Sequence, residues 1–332
     1  MRDHDSAIST VRVPLSAAGV AWGFLGVLAF SFTVPLTRIA VEGMNPYFVG
    51  TARAVVAGVC AGALLLAVRA PLPCGRQWTG LAVVALGVVA GFPLLTSVAL
   101  ESVSASHAAV VIGLLPAATA VVAVVRGPER PSRIFWVASA AGAVAVAVFV
   151  SLGTGGLGSV GVADLLLAGA VIAAAFGYAE GAALSRQLGS WQTICWALVL
   201  ALPAMSVLTA LLPWPGPDAG GAQWASFAYL ALVSMFLGFF AWYRSLAIGP
   251  VANVSQIQLV QPVLTITWAS TLLHEPLTPG VLLGAAAVVA CAALAVTARV
   301  RSATPSVGAP LMRARSRPRQ SLQPSREALP KR

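Results

Sequence analysis

Runs of about 20 apolar residues, the length that crosses a hydrocarbon layer roughly 30 Å thick, recur along this chain between short hinges containing Arg, Pro, Gly or Asp. They predict ten helices, over residues 16–37, 46–68, 78–98, 105–125, 134–151, 162–184, 191–212, 223–246, 251–272 and 279–298. The runs are continuous and do not alternate with period two, so helices rather than barrel strands satisfy the backbone in lipid. The first run follows Arg2 and Arg12 as a signal peptide would, but it is long and nine further spans follow it, so it reads as a helix.

A second pattern lies over the first. Shifted by 146 residues without a gap, Gln77-Trp78 falls on Gln223-Trp224, Pro71 on Pro217, Gly75 on Gly221, Pro116 on Pro262 and Glu129 on Glu275. Trp, Gln, Glu and Pro are scarce here, so their coincidence at one offset marks an internal duplication. The expected organisation is a segment 1–14, a first repeat 15–152, a second repeat 161–298 and a tail 299–332. Each repeat holds five spans, an odd number, so the second copy must enter the membrane in the opposite sense. The fold class expected is all-α integral membrane, ten transmembrane helices as two inverted five-helix repeats.

Composition agrees. Hydrophobic residues make up 58% and charged residues 9% of 332 positions, too few polar side chains to cover a water-soluble globule of this size. Placing the N-terminus in the cytoplasm puts Arg2, Arg12, Arg69, Arg76, Arg126, Arg130, Arg133, Arg186, Arg244 and the basic tail inside. Arg38 alone is then outside, with Glu42, Glu101, Asp164, Asp218 and Glu275, so both termini are expected in the cytoplasm. The tail supplies most of the formal charge of +10 and lacks apolar periodicity, which predicts a disordered segment drawn to anionic lipids rather than nucleic acid. A homodimer stays open. Cys60, Cys74, Cys195 and Cys291 form no CxxC and have no His cluster around them, so neither disulfide framework nor metal site is expected.

Several residues carry a family resemblance. Ala99-Leu100, Pro116 and Glu129, repeated as Ser245-Leu246, Pro262 and Glu275, resemble the paired signature of the EamA family in the drug/metabolite transporter superfamily. Ala29-Phe30-Ser31 leading to Arg38, and Asn45-Pro46 leading to Arg53, look like that family's first- and second-helix elements. The second copy departs from the pattern, with Val199 where the first has Arg53. The resemblance implies ten helices and export or uptake of small metabolites, often amino acids or drug-like compounds, across a bacterial plasma membrane.

Polar residues inside the spans are the candidates for function, because lipid penalises them. Arg53 either snorkels outward, pairs with Glu42 or Glu101, or faces the substrate path. Glu180 either forms an ion pair with Arg186 or Arg244, or exchanges a proton and couples transport to the proton gradient. The ninth span carries Asn253, Ser255, Gln256, Gln258 and Gln261 where the fourth has His107, Ala109, Val110, Ile112 and Leu115. Gln258, Gln261, Thr265 and Trp268 fall within about 80° of one another on a helix, a stripe that faces protein or water. It lines a cavity or bonds between helices, with Asn253 and Gln256 beside it. Pro116 and Pro262 interrupt matched helices and read as hinges at a midplane site or as packing kinks. Trp242 and Trp268 are aromatic candidates for a ligand wall. His107 has no second His within a turn, and Glu129 and Glu275, in the hinges before spans five and ten, read as helix-start caps and electrostatic tethers.

These features predict a secondary active transporter, with export the expected direction, working by alternating access, with coupling to protons left open. A passive channel or a non-transporting scaffold is the alternative. An intramembrane enzyme would need a paired catalytic set, and the spans hold no Lys, no HExxH and no acid pair. No P-loop or dinucleotide fingerprint is present, so no cofactor is expected.

Overall fold

The computed structural model describes residues 17–126, 132–153, 161–248, 254 and 257–302. The basic tail beyond 302, residues 1–16 and Glu129 therefore lie outside the described residues. The chain is helical in its regular structure there, beginning with α1 (Ala17–Ser31) and α2 (Thr33–Val41), which follow one another as a single apolar stretch. Helix α3 spans Pro46–Ala67, and the next crossing is α4 (Gln77–Val84), a π-helical segment Ala85–Gly91 and α5 (Phe92–Ala99). Helices α6 (Ala105–Ile112) and α7 (Leu115–Arg126) make a broken pair, followed by α8 (Arg133–Gly153). The second half runs α9 (Val162–Leu188), α10 (Ser190–Ala210), α11 (Gly221–Tyr229), a π-helical segment Leu230–Leu237 and α12 (Gly238–Ile248). A 3-10 turn, Gln258–Val260, then leads to α13 (Gln261–Leu272), and α14 covers Pro279–Ser302.

Among the described residues seven stretches are long and apolar enough to cross a membrane, and Arg133–Phe149 and Pro279–Ala295 are shorter apolar helices. The expected ninth span, 251–272, is described essentially from residue 257 onward. The stretches at the expected first, sixth and eighth spans run to Val41, Leu188 and Ile248, about a turn or less beyond the apolar runs.

Local chemistry sets the helix starts. Asn45 Oδ1 accepts from the backbone N–H of Tyr47 (2.9 Å) and Phe48 (3.3 Å), and Pro46 occupies the first helical position, where a missing N–H costs nothing. Ser104 Oγ accepts from His107 N–H at 3.2 Å at the start of α6. At the end of α5 the Arg38 guanidinium donates to the carbonyls of Leu100 (2.6 Å) and Glu101 (3.0 Å), which would otherwise be unsatisfied.

Helices pack in long pairs: α3 on α10, α8 on α14, α1 on α12, and the stretch Gln77–Ala99 on α9. The last pairing is close because Gly87 and Gly177 meet without side chains. A Cβ on Gly87 would strike the Ala173 carbonyl oxygen and sit 3.0 Å from the Gly177 N and Cα. Contacts also define the two ends of the bundle. One end gathers Arg38 with Leu100, Glu275 with Ala105, His107 with Asp164, and Gly43 against Asp218. The other gathers Ser245 with Gly19, Arg126 with Glu180, and Trp78 with Trp196.

Candidate functional site

A narrow cavity lies at the centre of the bundle, between the two halves of the chain. Its walls include Phe30, Thr33, Val34, Arg53, Val88, Phe92 and Pro93 from the first half, and Tyr178, Ser234, Met235, Phe239 and Gln261 from the second. A smaller space beside it is bounded by Ile112, Pro116, Gln258, Pro262 and Thr265, and Val34, Leu115 and Gln261 border both. Positions 146 residues apart recur together in these linings: Val88 and Ser234, Pro93 and Phe239, Leu115 and Gln261, Ile112 and Gln258, Pro116 and Pro262.

The cavity is tight. It has free space for water-sized spheres of about 30 Å³, far below the ~300–1,000 Å³ of ligand sites. A few waters fit, and a metabolite does not without movement of the walls. Wide helical turns supply a means. The π-helical segments Ala85–Gly91 and Leu230–Leu237 occupy corresponding positions in the two halves, and both border the cavity. In each, the closing N–H bonds five residues back, Phe92 to Gly87 and Gly238 to Val233, a geometry frequent at functional sites.

Arg53 is the charged group of this wall. It is 1% exposed, and neither its Nε nor its Nη2 has a hydrogen-bond partner. Nothing in its surroundings matches the expected snorkel or pairing: Glu42 is bound loosely by Arg38 at 3.9 Å, and Glu101 is exposed. An Arg near the middle of a span costs about 2.5–3.5 kcal/mol on insertion scales, so a buried guanidinium without a counter-ion is an expensive feature for the fold to retain. Gln261 is 8% exposed, and its Oε1 also lacks a partner. Thr33 and Ser234 in the same wall share a hydroxyl hydrogen bond of 2.7 Å.

The rest of the polar stripe is bound to neighbouring helices. Thr265 Oγ1 donates to the Ser31 carbonyl at 3.0 Å, and Trp268 Nε1 donates to Ser31 Oγ at 3.0 Å while its ring stacks on Phe32 with centroids 4.5 Å apart. Gln258 is buried beside Pro262. Trp242 is 1% exposed and stands behind the wall, its ring 5.8 Å from Tyr178 and 6.4 Å from Phe30. Trp242 thus braces two wall residues, Trp268 packs on Ser31 and Phe32, and neither tryptophan borders the cavity in this conformation. Asn253 and Gln256 lie outside the described residues.

One expectation is corrected by geometry. Glu180 pairs with Arg126, Oε2 to Nη2 at 2.6 Å, and not with Arg186 or Arg244, because α7 ends against α9. Glu275 does not cap its own following helix. Its two oxygens accept from the first N–H groups of α6, Ala105 at 2.7 Å and Ser106 at 2.8 Å. Pro116 and Pro262 each stand second in α7 and α13, just after a break in the helix, so the missing N–H falls in a first turn.

Sequence reasoning missed the partner of His107. Its Nε2 lies 2.7 Å from Asp164 Oδ1, while Asp164 Oδ2 accepts from the Gly161 N–H at 3.0 Å. The broken crossing α6–α7 is therefore bound to α9 at both ends, by His107 with Asp164 and by Arg126 with Glu180. Among the described residues no group of three or more His, Cys, Asp or Glu could hold a metal ion.

A helical body with several stretches able to cross a membrane, enclosing a cavity with buried polar groups, defines a multi-pass membrane protein with a polar interior. The EamA-like transporter family matches residues 17–151 and 161–297, and the chain belongs to that family. It is 47% identical over 277 residues to "Uncharacterized transporter YdeK" of Bacillus subtilis (strain 168), which covers 82% of this chain and 95% of that relative. A solved crystal structure 17% identical in sequence superposes with a TM-score of 0.62, covering 86% of this chain and 98% of the other, and shares its fold. The chain is accordingly a membrane transporter, with a small molecule as cargo and the lipid bilayer as its surroundings.

Proposed function

We propose that this transporter is a secondary carrier that moves small metabolites by alternating access, with export as its direction, from two inverted five-span repeats in a bacterial plasma membrane with both termini cytoplasmic. The observation that carries the reading is the central cavity, walled by positions 146 residues apart and holding the unpartnered groups of Arg53 and Gln261. Helix pairing supports the repeat division. Exchanging the halves maps the contact of α1 with α12 onto that of α9 with the stretch Gln77–Ala99, and returns the pairs α3–α10 and α8–α14 to themselves. The antiparallel sense is supported by the ends, since α1 starts beside Ser245 at one end and α9 starts beside His107 at the other.

In this reading Arg53, Gln258, Gln261 and Thr265 surround the route, with Asn253 and Gln256 on the same span. Pro116 and Pro262 mark its hinges, Trp242 and Trp268 come to the route only as the walls move, and the ion pair of Arg126 with Glu180 closes one end. Protonation of Glu180 would release Arg126, so this pair is the proposed point of coupling to a proton gradient.

The test is counterflow in proteoliposomes against a panel of amino acids, organic acids and aromatic cations, with and without a pH gradient. A carrier exchanges labelled for unlabelled substrate and saturates. Flux that never saturates and shows no exchange would make the protein a channel. Substrate-dependent proton movement should vanish in Glu180→Gln, and proton movement unchanged by that substitution would remove coupling from the account.

A further inference from the structure

Resting on the carrier reading of this cavity, we infer that its cargo is an organic carboxylate with an apolar body, and that Arg53 is the group that holds the carboxylate. Among the described residues every acid is either engaged elsewhere or exposed. Glu42 lies by Arg38, Asp164 by His107, Glu180 by Arg126, and Glu275 on the start of α6, while Glu101 and Asp218 are exposed. No acid borders the cavity, so the protein supplies no counter-charge to the buried guanidinium from among those residues.

The missing anion must then come from the ligand whenever the cavity is filled, because a buried cation is retained at tolerable cost only when it is paired. A guanidinium offers a planar fork of donors that matches the two oxygens of a carboxylate. The other walls say what is attached to it. Phe30, Phe92, Tyr178 and Phe239 give aromatic and apolar surface, and the free Oε1 of Gln261 accepts from one donor on the ligand, such as a hydroxyl, amide or ammonium. A phosphate dianion would call for more than one cationic side chain, and among the described residues the lining presents one, Arg53. An organic cation meets the same sign of charge and is rejected.

The experiment compares isosteric probes on the purified full chain in lipid nanodiscs, read by thermal stabilisation and by competition in proteoliposome counterflow. The probes are 3-phenylpropionate, 3-phenylpropionamide, phenethylammonium and sodium chloride. The acid should bind about tenfold to 100-fold more tightly than its amide, the range that follows from losing hydrogen bonds to a charged group, and the cation and chloride should not compete. Arg53→Gln should erase the preference of acid over amide, and Arg53→Lys should keep part of it. Equal binding of acid and amide by the unaltered protein overturns the inference, as does a preference that survives Arg53→Gln or an equal response to chloride alone. The comparison in the unaltered protein stands even where Arg53→Gln does not fold. Acid-selective binding with no counterflow of any compound would instead sink the carrier reading, and counterflow indifferent to the carboxylate would sink only this inference.

Discussion

Glu275 Oε1 lies 2.7 Å from the amide nitrogen of Ala105, so a carboxylate at the end of α13 caps a helix 170 residues away in sequence. Both oxygens are used, the second on Ser106, and the negative charge sits at the positive end of the α6 dipole. The ninth crossing is thereby fixed to the start of the fourth, the two crossings that carry the matched prolines.

Removing that cap should destabilise the bundle without touching the cavity. Glu275→Ala is expected to cost about 1–2 kcal/mol, the range for losing a helix N-terminal acceptor, and Glu275→Gln should cost less because one amide oxygen remains. Unfolding of purified protein in detergent, followed by tryptophan fluorescence, gives the measurement. Equal stability of all three proteins would show that the contact contributes nothing.

The pair of Arg126 with Glu180 should behave as a matched set. Arg126→Glu places two acids together and is expected to lower transport by roughly tenfold or more, since like charges at contact distance cost several kcal/mol across an interface. The double swap Arg126→Glu with Glu180→Arg should recover part of the rate. Counterflow rates of the single and double variants decide the matter, and a double variant no better than the single would argue against a closing ion pair.

Gly87 tests the close approach of the third and sixth crossings. Gly87→Val puts side-chain atoms against Ala173 and Gly177 and should cost about 1–3 kcal/mol or more through overpacking, with lower yield of folded protein. Size-exclusion profiles of detergent extracts check this. A normal profile with unchanged melting would mean that the two helices separate without penalty.

Much of the fold can be read from residue order. Continuous apolar runs mark the crossings because lipid forbids anything else, and the offset of 146 pairs Gln261 with Leu115, two positions whose shared place in the wall only the packing reveals. The inward aim of Gln258, Gln261 and Thr265 follows from the cost of amides in lipid. Other features leave no trace in the residue pattern. Glu180 sits near a helix end where Arg126, Arg186 and Arg244 are all expected on the same side of the membrane, so its pairing with Arg126 depends on how α7 meets α9. The π-helical turns are similarly silent: Pro93 flanks the first, but Phe239 stands at the matching position of the second. Ser31, which takes hydrogen bonds from both Thr265 and Trp268, is an ordinary small residue until the ninth crossing packs on it.

The most direct test is sidedness of access to Gln261. In protein with Cys60, Cys74, Cys195 and Cys291 replaced by Ser or Ala, Gln261→Cys is exposed to a membrane-impermeant thiol reagent from one face or the other of oriented vesicles, beside Val263→Cys on the outward face of the same helix. Alternating access predicts labelling of position 261 from each face in turn, slowed by bound substrate, with position 263 shielded by lipid from both. Labelling of 261 from a single face under every condition, or from neither, would contradict a central route that opens to the two sides.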